Sequence, residues 1–489
     1  MTQTAAIIGG GVIGGGWAAR FALNGWNVRI FDPDPASPRK TEAMLANARR
    51  ALPGVTDVAL PPEGTVTHCA SIAEAATDCA LIVEAVPERL EIKQKVYAEI
   101  EAVNETGIIA SSTSGIMPSD LQAGMTHPGR LIVGHPFNPV YLLPLVELVA
   151  GDKTDPQHIE KAKEIYASLG MRPLHCRVEI EGFLSDRLQE ALWREALWLL
   201  KDGVATAEEL DVAIAYGPGL RWAQMGTMQT FHLAGGEGGM RAMLAMFGPC
   251  LKWPWTKLMD VPELTDDFVE MVGDQCDTQS GTLTPHDLEK IRDGNLVGII
   301  RALKANDWGA GRTALGHDLA LASDSGLDAP ADSRDAAKLV LTGHRTVPLD
   351  WTDYNGHMTE SRYLNAFADA TDRFMQIIGC DAAYISSGGS YFTAETHIRH
   401  LDEVHAGTVI EITTQVIAGA GKKMHLWHEM RAGDRLLATG EHFLLHVSLD
   451  SRKPSSPATH IEAALSRFAK GHADLPKPDG LGRWVGAPR

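Results

Sequence analysis

Short apolar runs recur through the first 180 residues of this 489-residue chain, separated by stretches of helical character. The runs read AAIIG, NVRIF, CALIVEA, GIIASS, RLIVGH and PLVELV. Apolar runs of strand length followed by amphipathic segments are typical of βα units around a parallel sheet. The pattern therefore predicts an α/β Rossmann domain over residues 1–180.

The pattern changes twice in the rest of the chain. Residues 181–322 have helical periodicity without strand-like runs, as in GFLSDRLQEALWREALWLLKDG, and predict an all-α domain. Residues 323–342 are polar, contain Gly and Pro, and are the expected linker. Over 343–470 one helix-like segment precedes four strand-like runs, which predicts an α+β domain with one helix on a curled antiparallel sheet. Residues 471–489, rich in Pro and Gly, are expected to be a poorly ordered tail.

Composition narrows the class of protein. The chain is 44% hydrophobic and 22% charged, as in ordinary soluble proteins, and its length predicts several domains. Its formal net charge of −18 argues against nucleic acid or an anionic membrane as the main partner. The N-terminus has no basic region and the chain no long apolar run, so we expect a cytoplasmic protein without a membrane span. The six cysteines have no metal-ligand spacing, and we expect reduced thiols and no metal.

A glycine-rich segment directly follows the first apolar run. Gly9, Gly11 and Gly14 form a GxGxxG motif between a predicted strand and a predicted helix. In that setting Gly9 permits a tight turn, Gly11 lets the backbone approach a pyrophosphate, and Gly14 allows the helix to pack closely on the strand. Val12 and Ile13 lie at the helix N-terminus that would face the phosphates. The alternative is a glycine-rich turn that binds no ligand.

Asp32 ends the second apolar run, 23 residues after Gly9. A carboxylate at this position accepts hydrogen bonds from ribose hydroxyls and repels a 2′-phosphate. The next residues, Pro33 and Asp34, offer no arginine to a phosphate. The sequence therefore favours NAD over NADP.

His135 ends the run RLIVGH, and Glu147 follows twelve residues later in PLVELV. Residues at the carboxyl ends of strands in an open α/β sheet face the ligand crevice. A carboxylate beside a histidine fixes its tautomer and stabilises the imidazolium, which suits a general base near neutral pH. A hydrogen-bonded structural histidine is the alternative.

Residues 1 to about 320 resemble the 3-hydroxyacyl-CoA dehydrogenase superfamily, since HPFNP (135–139) matches its His-x-Phe-Asn-Pro motif. The resemblance implies NAD as the cofactor. It also implies roles for six residues: His135 as the catalytic base, Glu147 as its partner, Ser114 and Asn138 at the substrate and nicotinamide, and Glu88 and Lys93 bordering the cofactor.

One position departs from that family, which usually has Asn where GFLSDRL has Asp186. An added carboxylate suits a cationic substrate better than an acyl-CoA. The segment GPGLRWAQMG (217–226) and its tryptophan-rich neighbours resemble the carnitine dehydrogenase branch. The resemblance implies NAD-dependent oxidation of the 3-hydroxyl of L-carnitine to 3-dehydrocarnitine. The rivals are a 3-hydroxyacyl-CoA and a gulonate-like dehydrogenase.

Arg221 is a candidate anchor for a substrate carboxylate, with a structural salt bridge as the alternative. Aromatic faces hold quaternary ammonium groups by cation–π attraction, and Trp222 is the candidate adjacent to Arg221. The other tryptophans of these segments are Trp193, Trp198, Trp253 and Trp255. Each of them singly could instead be a core residue.

The segment DWTDYNGHM (350–358) opens a second catalytic signature. From about 343 to 450 the chain resembles hot-dog fold thioesterases of the 4-hydroxybenzoyl-CoA thioesterase type. The resemblance implies that Asp353 is the nucleophile or the general base on water, with a helix N-terminus near the thioester carbonyl. Asp353 as a turn residue stays open, and His357 is a weaker catalytic candidate.

The resemblance of the whole chain to fused carnitine dehydrogenases implies a thioester such as betainyl-CoA as the second substrate, in carnitine catabolism. Lys422 and Lys423 are candidates for CoA phosphates, although paired lysines usually mark a solvated turn. The alternative for this domain is a non-catalytic dimerisation or acyl-CoA-sensing module. Both parent folds commonly associate near their sites, so we expect a homodimer.

Overall fold

The structure is a computed structural model that describes residues 3–235, 237, 239–247, 256, 263 and 265–483. Contacts divide the chain into two units. The first unit comprises Met1–Ala48 and Pro62–Gly316, and the second comprises Arg49–Pro61 and His317–Arg489.

The first unit begins with alternating strands and helices. Its strands are β1 (Thr4–Ile8), β2 (Asn27–Phe31), β3 (Val66–His68), β4 (Leu81–Glu84), β5 (Ile108–Ser111), β6 (Leu131–Pro136), β7 (Leu145–Ala150) and β8 (Arg172–Cys176). The helices among and after them are α1 (Val12–Leu23), α2 (Ser37–Ala51), α3 (Ile72–Ala76), α4 (Leu90–Glu101), α5 (Pro118–Leu121) and α6 (Pro156–Ser168).

The eight strands form one sheet in the order β3-β2-β1-β4-β5-β6-β7-β8. Neighbouring strands are parallel except for β6 and β7, which are antiparallel. The apolar runs occupy the strands because both faces of such a sheet are covered, and Ala5, Ile7 and Val83 are fully buried. The predicted α/β Rossmann fold is confirmed.

A buried arginine on α1 bonds to the loops that precede β7 and β8. The guanidinium of Arg20 donates hydrogen bonds to the carbonyls of Leu169 (2.8 Å), Tyr141 (2.9 Å) and Gly170 (2.7 Å). Burial lowers the pKa of Arg20 to about 10. Because a charged group is costly to bury without partners, these three carbonyls hold α1 in one place on the sheet.

In the described residues of 181–322 every regular element is a helix, as the sequence predicts for this part. These helices are α7 (Ser185–Lys201), α8 (Ala207–Ala215), α9 (Pro218–Trp222), α10 (Thr227–Ala234), α11 (Gly239–Phe247), α12 (Asp266–Ser280), α13 (Pro285–Ala305) and α14 (Ala310–Asp324). Their buried contacts are sparse: α7, α8 and α12 meet through Leu200, Ala207 and Phe268.

The second unit contains β9 (Val340–Thr346), α15 (Glu360–Ile377), α16 (Ala382–Ser386), β10 (Gly389–His400), β11 (Val409–Ala420), β12 (Lys423–Ala432), β13 (Arg435–Ser448), β14 (Lys453–Pro454) and α17 (Thr459–Gly471). Its antiparallel sheet has the order β10-β13-β12-β11-β9, with β14 on β13. Apolar residues at helical spacing, among them Tyr363, Phe367 and Phe374, bury one face of α15. The α+β hot-dog fold class is confirmed.

The expectation of a single helix on this sheet is wrong. A second helix, α17, packs on β11, where Gly419 gives it room. A Cβ at Gly419 would lie 2.6 Å from Cγ of Leu465 on that helix. In the predicted tail 471–489, His472 is buried and accepts a hydrogen bond from the amide of Val416 (2.8 Å), so the start of this segment is packed on the sheet.

The second unit includes residues 49–61, which the sequence analysis placed wholly with the first domain. Val58 packs in one apolar cluster with Leu321 and Leu327. The amide of Ala59 donates a hydrogen bond (2.8 Å) to the carbonyl of His344, which lies in the edge strand β9. No helix of the described chain is long and apolar enough to cross a membrane.

Candidate active sites

The glycine motif forms a tight turn between β1 and α1. Gly9 has a φ of +100°, and a Cβ there would lie 2.5 Å from the carbonyl oxygen of Ala85. A Cβ at Gly14 would lie 1.8 Å from the carbonyl oxygen of Gly9. A Cβ at Gly11, in contrast, meets no described heavy atom within 4 Å. The fold itself requires Gly9 and Gly14, whereas Gly11 leaves space for a ligand.

The N-terminus of α1 is suited to an anion. Gly11 is its N-cap, without a capping side chain, and its first turn has no acidic residue. Val12 is 59% exposed there, and Ile13 is half-buried. Free amides at a helix start attract phosphate. These features fit the pyrophosphate of a dinucleotide.

Asp32 follows β2 beside this turn. Its Oδ2 accepts a hydrogen bond from the amide of Gly10 (2.6 Å), and its Oδ1 accepts one from the amide of Asp34 (2.7 Å). A carboxylate has about four acceptor positions, so both oxygens keep capacity for ribose hydroxyls. The nearby Lys40 is paired with Asp34 at 2.7 Å.

Lys93 lies between two carboxylates. Its ammonium is 2.7 Å from Oε1 of Glu84 and 3.2 Å from Oε2 of Glu88, and its side chain is only 1% exposed. Glu88 also accepts hydrogen bonds from the hydroxyl of Thr113 and the amide of Ser114. Although burial raises the pKa of Glu88, these bonds and Lys93 together hold it below its ordinary value. Lys93 therefore positions Glu88 and does not itself line the surface.

Glu84, at the end of β4, is a residue that the sequence analysis missed. It is fully buried and accepts hydrogen bonds from Lys93, Tyr97 (2.7 Å) and Ser111 (2.7 Å). Burial, reinforced by the Glu84 charge, raises the pKa of Tyr97 well above its ordinary value. A carboxylate inside the apolar run CALIVEA was the available signal, because a buried charge requires partners.

His135 and Glu147 lie directly opposite each other in the antiparallel pair β6–β7. Nδ1 of His135 is 3.0 Å from Oε2 of Glu147. The other oxygen of Glu147 accepts hydrogen bonds from the amides of Leu184 (3.1 Å) and Ser185 (2.9 Å) at the start of α7. Burial alone would raise the pKa of Glu147, but the bonds from His135 and Ser185 outweigh it and lower the pKa. The predicted pair is thus formed, with Glu147 ionised.

The second nitrogen of His135 faces Asp186. Nε2 lies 3.5 Å from Oδ2 of Asp186, whose side chain is 20% exposed on α7. Burial raises the pKa of Asp186, while the nearby His135 acts in the opposite direction. The rings of Phe137 and Phe183 pack against the imidazole, with centroids 4.8 and 5.7 Å away. Glu147 occupies Nδ1 of the ring, and Asp186 lies near Nε2 at a longer distance. Nε2 is therefore the nitrogen available to a substrate.

Ser114 and Asn138 are both exposed on the loops that follow β5 and β6. Arg221 and Trp222 lie on α9 and are exposed, Trp222 by 40%. Within the described part of the chain, no ion pair or hydrogen bond joins Arg221 to the group around His135. Their substrate roles stay predictions. Of the remaining candidate tryptophans, Trp193 is 56% exposed and Trp198 lies beside Lys201, whereas Trp253 and Trp255 lie outside the described residues.

In the second unit Asp353 closes a tight turn. Its Oδ1 accepts hydrogen bonds from the amides of Asn355 (2.8 Å) and His357 (3.3 Å), and Gly356 has a φ of +79°. Its Oδ2 accepts none from any described residue. One oxygen of the carboxylate, Oδ1, therefore stabilises the turn, and the other, Oδ2, is free to act on a substrate. Helix α15 begins just beyond, with Thr359 as an N-cap that makes no side-chain hydrogen bond.

His357 lies 3.4 Å from Glu403. Lys422 in the turn before β12 and Lys423 at the start of that strand are both exposed. Nothing in the geometry assigns these lysines to CoA, so that role also stays a prediction.

Comparison with known proteins identifies both halves of the chain. The family described as 3-hydroxyacyl-CoA dehydrogenase, NAD binding domain, matches residues 4–179, and its C-terminal domain matches 182–262. The thioesterase-like superfamily matches 347–465. The L-carnitine dehydrogenase/betainyl-CoA thioesterase of Ruegeria pomeroyi is 60% identical over 99% of both chains.

The chain belongs to the L-carnitine dehydrogenase/betainyl-CoA thioesterase family.

Other relatives match the dehydrogenase part of this family. The L-carnitine dehydrogenase of Mesorhizobium japonicum is 58% identical, over 63% of this chain and 86% of its own. Among solved structures, the crystal structure of 5-formyl-3-hydroxy-2-methylpyridine 4-carboxylic acid 5-dehydrogenase, an NAD+-dependent dismutase, superposes with a TM-score of 0.52. It is 30% identical and covers 62% of this chain and 99% of that one. The predicted resemblances and NAD as the cofactor are confirmed.

We expect Gly11→Ala to weaken NADH binding without affecting the fold. The backbone of Gly11 is extended (φ −67°, ψ −161°), so alanine adopts it freely, yet its methyl group would occupy the space where a pyrophosphate approaches. The dissociation constant for NADH, measured by fluorescence titration, should rise by about tenfold or more, equivalent to about 1.4 kcal/mol. The melting temperature should stay unchanged.

Gly15→Ala is the matched control, because a Cβ there makes only ordinary contacts of 3.7 Å with Met44. Equal NADH affinity in the Gly11→Ala and Gly15→Ala proteins would refute this placement of the cofactor.

Proposed function

We propose that this chain catalyses two reactions of carnitine catabolism. The first is NAD-dependent oxidation of the 3-hydroxyl of L-carnitine to 3-dehydrocarnitine. The second is hydrolysis of a betaine-type acyl-CoA thioester, for which betainyl-CoA is the proposed substrate. The full-length similarity to bifunctional relatives supports both. The observation that carries the choice of the first substrate is the carboxylate of Asp186 beside Nε2 of His135.

His135 is the general base in the first reaction. Its Nδ1 is bonded to ionised Glu147, which leaves Nε2 to accept the hydroxyl proton of the substrate. As the proton moves to Nε2, the imidazole becomes a cation, and Glu147 stabilises that charge without moving. A bound NAD+ would supply the acceptor for the hydride that leaves C3 of the substrate. The side chains that would hold it are Asp32 and Glu88, with Gly11 at the pyrophosphate.

Asp186 selects a cationic substrate in this proposal. In carnitine the trimethylammonium group is one methylene from the carbon that carries the hydroxyl. A hydroxyl hydrogen-bonded to Nε2 of His135 therefore allows that cation to lie close to Asp186, which is 3.5 Å from the same nitrogen. The carboxylate of carnitine is also one methylene from that carbon, and the negative charge of Asp186 favours the ammonium end on its side. A quaternary ammonium donates no hydrogen bond, so attraction between charges is the main polar interaction open to it, and partial burial of Asp186 strengthens it.

Asp186→Asn tests this assignment, because asparagine keeps the shape and removes the charge. We expect kcat/KM for L-carnitine, followed by NADH formation, to fall about 10- to 100-fold, equivalent to about 1.4–2.7 kcal/mol. Wild-type turnover should be large with L-carnitine and negligible with gulonate and 3-hydroxybutyryl-CoA.

The control is Glu190→Gln, which removes an exposed carboxylate one helical turn further along α7 and should leave these rates within about twofold. Faster wild-type turnover of 3-hydroxybutyryl-CoA or gulonate than of L-carnitine would overturn the proposed substrate. Full activity of Asp186→Asn with L-carnitine would remove only the role of Asp186.

Asp353 acts on the thioester in the second reaction, as nucleophile or as general base on water. The free Oδ2 is the atom for this role, while Oδ1 holds the turn. The products are the carboxylic acid and the free thiol of CoA, and water supplies the oxygen that replaces sulfur.

Asp353→Asn should keep the turn, because its amide oxygen still accepts the two backbone hydrogen bonds, but it loses the carboxylate. We expect thiol release from betainyl-CoA to fall by about 100-fold or more, with L-carnitine oxidation unchanged. Asp350→Asn, at an exposed carboxylate of the same segment, is the control. Normal hydrolysis by Asp353→Asn would leave Asp353 as a turn residue only.

We further propose that the protein is a cytoplasmic homodimer. Free thiols at Cys69, Cys79, Cys176 and Cys380 are consistent with a reducing compartment. The helix α7 buries only Leu200, while Leu188 (71%) and Trp193 (56%) stay exposed. Leu192 and Trp193 also line an apolar cavity of about 600 Å³ along α7 and α8. Such surface is typical of a face covered by another subunit.

Sedimentation of the full chain at micromolar concentration should therefore give a dimer. Leu192→Glu should weaken it by about tenfold or more, because a charge would have to be buried. Glu190→Gln on the same helix should leave it intact, and a wild-type monomer would refute the proposal.

A further inference from the structure

Three potential metal ligands converge in the second unit beside the Asp353 turn. His357, Glu403 and His405 each offer one ligand atom, and these atoms all lie within 4.8 Å of one another. Nε2 of His357 is 3.4 Å from Oε2 of Glu403. Two ligands about 2.0–2.1 Å from a tetrahedral zinc ion lie about 3.3 Å apart, so the His357–Glu403 pair needs almost no adjustment. The pairs that involve His405 have to close from at most 4.8 Å.

The backbone holds the two histidines together. His357 and His405 form an antiparallel bridge, and the amide of Met358 donates to the carbonyl of Val404 at 2.8 Å. Their imidazole centroids are 4.7 Å apart. Cross-strand neighbours of this kind keep their side chains side by side, so the pair does not depend on a chance rotamer of either ring.

A hydrogen bond prepares His405 to bind a metal. Its Nδ1 lies 2.9 Å from the carbonyl oxygen of Gly356, which can only accept a hydrogen bond. Nδ1 therefore carries the proton, and Nε2 keeps its lone pair. Metal-binding histidines usually donate their other ring N–H to a carbonyl or carboxylate in this way.

The donor set determines the class of ion. Two imidazoles and one carboxylate suit zinc and the neighbouring divalent transition metals, whereas calcium and magnesium prefer oxygen ligands alone. His357 is half-buried, and the side chain of Glu403 is 61% exposed. Water or an incoming ligand can therefore complete the coordination.

We propose that His357, Glu403 and His405 bind a divalent transition-metal ion of the zinc class. The ion links the Asp353 turn to the chain at 403–405, since the amide of His357 is also a hydrogen-bond donor to Asp353. The sequence showed no such site because the two histidines are distant along the chain and no motif spans them. A simple ion pair between His357 and Glu403 is the competing interpretation.

Zinc binding to the full-length, tag-free protein tests the proposal. After treatment with EDTA and its removal, zinc chloride is titrated calorimetrically into the wild type, His405→Gln and Glu403→Gln. The wild type should bind one equivalent of zinc that both variants lose or bind about tenfold or more weakly. Cobalt(II) at this site should give visible absorption bands in the wild type that are weaker or absent in the variants.

His425→Gln is the matched control, because His425 also pairs with a glutamate (Glu441, 2.9 Å) but belongs to no described group of three ligands. It should retain the zinc equivalent. Glu403 is exposed, so its substitution leaves the fold intact and loss of zinc cannot be attributed to unfolding. Identical isotherms for the wild type, His405→Gln and Glu403→Gln would overturn the proposal. The readout is binding alone and does not depend on either enzymatic activity.

Discussion

The one antiparallel junction in the eight-stranded sheet is the constraint on which the first site depends. At that junction the end of β6 meets β7 in a register that places Glu147 against His135. Glu147 is fully buried, so it needs partners for both oxygens, and it takes them from the imidazole and from the first amides of α7. One carboxylate therefore orients the base and also fixes where α7 begins. Asp186, in the first turn of α7, then reaches the other nitrogen of His135.

The second unit uses a different device to fix its central helix. Buried His428 on β12 bonds through Nε2 to Thr371 of α15 (3.0 Å) and through Nδ1 to Thr414 of β11 (2.8 Å). Burial lowers the pKa of His428 well below its ordinary value, with nearby His442 acting in the same direction. A neutral imidazole with a partner on each nitrogen joins helix and sheet at a defined point, where apolar packing alone would tolerate sliding.

Elements and motifs were predictable where a local pattern encodes them. The apolar runs predicted β1, β2 and β4–β7 of the first sheet and β10–β13 of the second. They missed β3, β8, β9 and β14, and β9 begins inside the predicted linker 323–342. The spacing of Gly9, Gly11 and Gly14 predicted the turn before α1, because backbone sterics act over a few residues. The resemblance to the dehydrogenase superfamily implied the pairing of His135 with Glu147, whereas the antiparallel register that places them opposite each other was not predicted. The burial of Lys93 and the role of Glu84 could not be predicted, because ion pairs between separate elements produce no periodic pattern in the sequence.

The sequence shows that Asp186 stands where the dehydrogenase superfamily usually has Asn, but it does not show which side chain Asp186 faces. Only the fold shows that it faces Nε2 of His135. The helix α17 was missed although its buried residues Ile461, Leu465 and Phe468 have helical spacing, because the face they form is defined by a tertiary contact with β11.

The inclusion of residues 49–61 in the second unit has a consequence for how the protein is made. These residues leave the ribosome early, whereas Leu321 and Leu327, which pack with Val58, and His344, which bonds to Ala59, follow more than 260 residues later. The segment remains without its partners until most of the chain has been synthesised. Folding of the second unit is therefore not a purely C-terminal event, and a cut within residues 328–340 would separate this cluster from Leu341, which packs against it, and Ala59 from His344.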